Sequence, residues 1–104
     1  MTAGEGAALV LATGESFALK AGQNLVGRKD GEAGVDIDLE PFDPDKYTSR
    51  KQCLLSLEGG RIFVTDLSSN GTWLQGVRLE KGMRIEASSG SAIRFVGVEA
   101  RLRF

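Results

Sequence analysis

Glycines at positions 14, 22, 31, 34, 59, 60, 71, 76, 82, 90 and 97 cut this chain into short apolar runs. Turn signals recurring every 8–12 residues or so are the rhythm of a sandwich or barrel. No window carries a sustained 3.6-residue apolar stripe flanked by caps, so little or no helix is expected. The strand segments expected are 7–12, 16–20, 23–28, 35–39, 52–58, 61–66, 72–75, 83–87, 91–96 and 98–104. In the last of these Val98, Ala100, Leu102 and Phe104 alternate with Glu99, Arg101 and Arg103. Period two sends one set into a core and the other to solvent. Segments 52–58 and 61–66 are joined by Gly59-Gly60, which predicts a hairpin with a primed turn. The fold class is therefore all-β, in one domain spanning 1–104 with its core over about 8–104 and residues 1–6 expected to be flexible.

Composition narrows the function. The chain has 104 residues, a net charge of −1 and no histidine. A dedicated nucleic-acid binder would present a strongly basic face, so no nucleic-acid partner is expected. Without histidine the commonest general base and metal ligand are missing, which favours a binding module over an enzyme. The single Cys53 offers neither a disulfide nor a four-ligand metal cluster, and in an apolar strand it is expected to be a small buried hydrophobe. Trp73 and Phe63 are expected to pack in the core or at a sheet edge. No apolar run approaches the ~20 residues of a membrane helix. The N-terminus lacks the basic start of a signal peptide, and a cytoplasmic location is expected. No P-loop, dinucleotide fingerprint, zinc spacing or nucleophile elbow is present, so no catalytic residue, metal or cofactor is expected.

One segment breaks the rhythm. Residues 40–51, EPFDPDKYTSRK, hold both prolines and show no periodicity. A twelve-residue irregular loop in so small a domain is usually functional or disordered. The acids Asp36, Asp38, Glu40, Asp43 and Asp45 invite a calcium reading. An EF-hand begun at Asp36 would need Gly and Glu where Pro41 and Tyr47 stand, so that reading fails. If the acidic loop flanks a binding site, Asp43 and Asp45 would favour a basic residue in the ligand.

Three short clusters sit at strand ends: Gly27-Arg28, Ser49-Arg50-Lys51-Gln52 and Ser68-Ser69-Asn70-Gly71-Thr72. Together they supply guanidinium and ammonium cations, hydroxyls, an amide and tight backbone. A phosphate monoester carries about −1.5 to −2 charges and three acceptor oxygens, and is held best by such groups converging from separate loops. A sandwich gathers its loops at one end, where distant clusters can meet.

In order and spacing these clusters resemble the motifs of the forkhead-associated (FHA) family. The chain reads GR at 27–28, TSRKQ at 48–52 and DLSSNGTWLQG at 66–76, and the similarity spans roughly residues 8–104. The resemblance implies a two-sheet sandwich of the SMAD/FHA-like type, with about 10–11 mainly antiparallel strands. It implies a partner bearing phosphothreonine, the product of a Ser/Thr kinase. Carried over by motif position, Arg28, Ser49, Arg50 and Ser69 would hold the phosphate, and Asn70 the peptide backbone. Gly27 and Gly71 would be tight turns, and Asp66 and Thr72 would brace the loop presenting Asn70. Two positions depart from the family pattern. Gln52 stands where the family has a loop-bracing histidine, and Gln75-Gly76 stands for its second Asn-Gly. Those departures keep a second reading open, a phosphate-independent scaffold or self-associating domain. The Asn70-Gly71 pair also reads as an ordinary hairpin turn, and such a turn can still carry an Asn that reaches a ligand.

Overall fold

The computed structural model describes residues 6–29 and 34–104. Of the segment expected to be flexible, residues 1–5 lie outside the described residues. The described residues form eleven strands: β1 Ala8–Leu11, β2 Ser16–Ala18, β3 Gly22–Gly27, β4 Ile37–Asp38, β5 Cys53–Glu58, β6 Arg61–Asp66, β7 Thr72–Leu74, β8 Val77–Arg78, β9 Arg84–Ala87, β10 Ala92–Phe95 and β11 Val98–Arg103. They form a six-stranded sheet ordered β2-β1-β11-β10-β7-β8 and a five-stranded sheet ordered β4-β3-β5-β6-β9. All pairs are antiparallel except β3 with β4. Among the described residues the one helical element is a 3-10 turn at Glu40–Phe42, led by Pro41.

The alternation of apolar residues dictates the two inner faces. On β11, Val98, Ala100 and Leu102 are buried while Glu99, Arg101 and Arg103 are exposed. On β6 and β5, Ile62, Val64, Leu55 and Leu57 face the same core, which they share with Leu9, Leu11, Ile93, Phe95 and Leu102. Burying each such side chain contributes about 1.5–3 kcal/mol, before conformational entropy is set against it. Cys53 is fully buried in this core. Trp73 and Phe63 are only half-buried, and arginines cover their rings on the outer faces of the two sheets.

The β5–β6 hairpin forms as expected. Gly59 and Gly60 both have positive φ (57° and 78°), and Glu58 pairs with Arg61 across the two-residue turn. The Asn70-Gly71 pair does otherwise. It joins β6 of one sheet to β7 of the other, so it is a crossover between the sheets and not a hairpin turn. Strand β8 is absent from the segments expected from sequence. It pairs with β7 across Gln75 and Gly76, whose φ values are 50° and 78°. The positive φ at Gln75 is unusual for a side chain other than Asn, Asp or Gly. Its amide Oε1 offsets some of that strain by accepting from Ala92 N at 2.9 Å.

Candidate functional site

Strand register gathers the three clusters at one rim of the five-stranded sheet. Val26 pairs with Cys53, and Cys53 with Asp66, so β3 ends, β5 begins and β6 ends in a single row. The chain segments just past that row are 27–28, 48–52 and 67–71.

The approach of the first two is very close. A Cβ placed on Gly27 would lie 1.9 Å from the Arg50 carbonyl oxygen, so only glycine fits. That contact lets Arg28 N donate to Ser49 O at 3.1 Å and Arg28 Nε donate to Thr48 O at 3.2 Å. The guanidinium plane is thereby fixed against the 48–49 backbone. The Asp43 carboxylate, buried beneath this loop, accepts from Thr48 N at 2.6 Å. Burial pushes the Asp43 pKa up, but hydrogen bonds from Thr48 and Tyr47 and the charge of Arg28 outweigh it and hold it below the ordinary value.

Gln52 ties the second cluster to the third. Its side chain is wholly buried. Its Oε1 accepts from Ser49 N at 3.0 Å, while its Nε2 donates to Gly71 O at 2.8 Å and to Thr72 Oγ1 at 2.9 Å. These partners settle the amide orientation, since the flipped form would face donor to donor and oxygen to oxygen. The Thr72 hydroxyl in turn donates to Asp66 Oδ1 at 2.8 Å. The same oxygen accepts from Ser68 N at 3.0 Å and Ser68 Oγ at 2.6 Å, and Ser68 Oγ in turn accepts from Gly71 N at 2.8 Å. The 67–71 segment is thus braced from inside by buried groups whose hydrogen bonds are made.

The outer surface of the rim is polar. Ser49 Oγ accepts from Ser69 N at 3.1 Å, which leaves the Ser49 proton as a donor and the Ser69 hydroxyl exposed. Asn70 is exposed, and its Nδ2 donates to Tyr47 O at 3.0 Å. Arg50 and Lys51 are exposed beside them. A guanidinium, two hydroxyls, an amide and further cations therefore converge on one rim. Among the described residues no group of acids, cysteines or histidines could hold a metal ion.

A family model described as the FHA domain matches residues 24–96 of this chain. The chain belongs to the FHA family. A search of curated proteins gave no match. Among solved structures, it is similar to the FHA domain of FhaA in complex with the intracellular domain of Rv3910, with 25% identity, a TM-score of 0.77 and coverage of 93% of this chain and 99% of that one. It is also similar to EmbR of Mycobacterium tuberculosis in complex with a low-affinity phosphopeptide, at 25% identity and TM-score 0.79, covering 94% of this chain and 24% of that one. The N-terminal FHA domain of S. cerevisiae Rad53p, solved with a phosphothreonine peptide, shares the fold at 21% identity and TM-score 0.74, with coverage of 93% and 90%.

In this FHA domain the Gln52 side chain links the 48–52 and 67–72 segments through one acceptor and two donor contacts. The acidic loop divides in two. Asp43 is 2% exposed and committed to Thr48 N, so of the two acids expected to favour a basic residue in a ligand only Asp45 is exposed. Asp36 is spent on Leu25 N and on the Lys20 ammonium at 2.7 Å, and Asp38 on Lys29 N and Glu40 N. Sequence reasoning gives Asp43, Tyr47, Thr48 and Ser68 no part in bracing the site: it takes Asp43 for a ligand-facing acid and Ser68 only for a member of the third cluster. The first three act through buried or main-chain atoms in an aperiodic loop and leave no pattern. Ser68 had a signal, its place two residues after Asp66, where a hydroxyl can close a local turn.

Proposed function

We propose that the rim binds a phosphothreonine side chain on a partner protein that is a Ser/Thr kinase substrate, making this FHA domain a phosphopeptide-binding module and not a catalyst. The observation that carries this reading is the pairing of Arg28 with Ser49 across the Gly27–Arg50 contact, which puts a guanidinium and a hydroxyl donor on adjacent strand ends. The likeness to EmbR, solved with a phosphopeptide, supports it. The phosphate would dock on the terminal nitrogens of Arg28, the hydroxyls of Ser49 and Ser69, and the Arg50 side of the loop. Asn70 would leave Tyr47 O to hold the ligand backbone, at little net cost because one amide hydrogen bond replaces another. The domain would act as a single module of the cytoplasm, where such kinases and their substrates meet.

A fluorescent phosphothreonine peptide library, titrated against the domain beside its unphosphorylated counterpart, tests this. Each charge-assisted hydrogen bond contributes roughly 1.5–3 kcal/mol. Arg28→Ala should therefore weaken phosphopeptide binding about tenfold to a hundredfold, with circular dichroism unchanged. Phosphoserine in place of phosphothreonine loses one methyl, ~0.8 kcal/mol or about fourfold if that methyl is buried. Equal affinity for wild type and Arg28→Ala, or for phosphorylated and unphosphorylated peptides, would overturn the assignment and leave the phosphate-independent scaffold as the better reading.

A further inference from the structure

The outer face of the six-stranded sheet carries a charge pattern that the rim does not use. Register places Arg78, Trp73, Arg94 and Glu99 in one row across β8, β7, β10 and β11. Arg101 and Arg103 follow Glu99 at alternate positions of β11, and all three are exposed. Arg94 and Arg78 flank the Trp73 ring, their guanidinium carbons 4.1 and 5.4 Å from its centroid. Cation–π contacts of this kind hold guanidinium groups in place without neutralising them. Arg101 Nη1 is anchored on Gly90 O at 2.9 Å. Beside the row runs a groove of about 660 Å3 lined by Val10, Trp73, Arg94, Glu99, Arg101 and Arg103, among others.

The opposite sheet handles its arginines differently. There Arg84 makes a two-pronged pair with Glu58 at 2.6 and 3.1 Å, and Arg61 lies 3.7 Å from Glu86. Among the described residues, Arg78, Arg94, Arg101 and Arg103 have no carboxylate within ion-pairing distance. Four cations against one acid on a single face, in a chain of net charge −1, is a segregated surface and not an average one.

We propose that this face is a second docking surface, which takes an extended acidic segment of a partner protein independently of phosphorylation. Arginine forks suit carboxylates, which they can engage through two parallel hydrogen bonds. In an extended segment, side chains two residues apart stand about 6.5–7 Å apart on one side, the same repeat that separates Arg101 from Arg103 on β11. A segment with acids at alternate positions therefore matches the Arg101 and Arg103 pair in spacing as well as in sign. A single-stranded nucleic acid fits less well. It needs open aromatic faces for stacking, and here the one tryptophan is already flanked by two guanidinium groups, with Glu99 in the same row.

The test uses the whole chain and a fluorescent peptide of alternating Glu and Ser, with the corresponding Gln-Ser peptide and an oligothymidylate of the same length as controls. The expected result is weak binding of the Glu-Ser peptide that fades between about 0.05 and 0.5 M salt, as screening shortens the reach of exposed charges. Amide shift perturbations should fall on β1, β10 and β11. The double change Arg101→Gln with Arg103→Gln should weaken binding roughly thirtyfold, taking each exposed pair at the upper end of its usual worth. Arg28→Ala should leave this binding unchanged, which separates the proposal from the phosphopeptide site. The proposal is overturned by no binding at millimolar peptide, by equal affinity for the Gln-Ser peptide, or by perturbations confined to the 27–28, 48–52 and 67–71 loops. Tighter binding of the oligothymidylate would overturn it in favour of nucleic acid. A dimer in sedimentation that the Arg101→Gln and Arg103→Gln pair abolishes would overturn it in favour of a second copy of this chain.

Discussion

Gln52 has three hydrogen-bonded neighbours, and Gly71 O and Thr72 Oγ1 lie buried with it, out of reach of water. Gln52→Leu keeps the volume and removes the polar atoms, so it should cost about 3 kcal/mol, set by the penalty for stranding buried donors and acceptors. In a domain of this size that corresponds to a fall in Tm on the order of 10–20 °C, readable in a thermal melt. Gln52→His poses a different question. Neutral imidazole can accept from Ser49 N, but imidazolium can only donate. The variant should therefore lose phosphopeptide affinity as pH falls below about 6.5, the ordinary histidine range. The unaltered domain has no histidine, so its affinity should follow only the second ionisation of the ligand phosphate, near pH 6 or so. Titrations of both proteins from pH 5 to 8 would separate the two curves. Superimposable curves would mean that residue 52 does not report on the loops.

At the scale of elements, the 39–52 loop is tied across itself by the Asp43 carboxylate, which accepts from Thr48 N. Asp43→Asn should weaken the bond to Thr48 N and raise amide exchange at Thr48, with a loss on the order of 1–2 kcal/mol, as for a charged acceptor replaced by a neutral one. It should leave the residue preference of the peptide ligand unchanged. The strands were legible from sequence because period two and glycine turns are local signals, and the alternation on β11 reads off the chain directly. Arg28, Ser49, Ser69 and Asn70 were legible as a set because their order along the chain is itself a pattern. The rest lay in geometry that sequence does not carry. Strand β8 is two residues long and both of them are exposed. Asn24 looks like any strand polar residue, yet it is buried, and its amide bonds Lys20 N and O and Leu55 O to hold the entry to β3. The Asn70-Gly71 pair has the composition of a hairpin turn, and only the pairing of β7 with β10 shows that it changes sheets.

For the molecule as a whole, Cys53 reports on opening of the sandwich. Burial, with the Asp66 carboxylate nearby, pushes its thiol well above the ordinary range, so the reactive thiolate is suppressed twice over. It sits on β5, between β3 and β6, with the core on one side. Labelling by a thiol reagent should therefore be slow in the native domain and should accelerate with denaturant in step with global unfolding. Fast labelling in native buffer would show that β5 opens locally. Acid should unfold the domain by a definable route. Asp43 has a folded pKa below its ordinary 3.8, so its contribution is present above that value and is lost as pH falls through the lower one. Stability should hold from neutrality down to about pH 4 and decline below it, and in Asp43→Asn that decline should be shallower.

The near-contact at Gly27 has a consequence for reading relatives of this chain. Any side chain there would have to displace the Arg50 carbonyl, whereas a change at Arg28 removes side-chain bonds and leaves that close approach of the two loops intact. A descendant that abandoned phosphate recognition would therefore be free to lose the arginine but not the glycine. In a lineage, glycine at 27 would be a marker of ancestry, and arginine at 28 a marker of whether the trade is still practised.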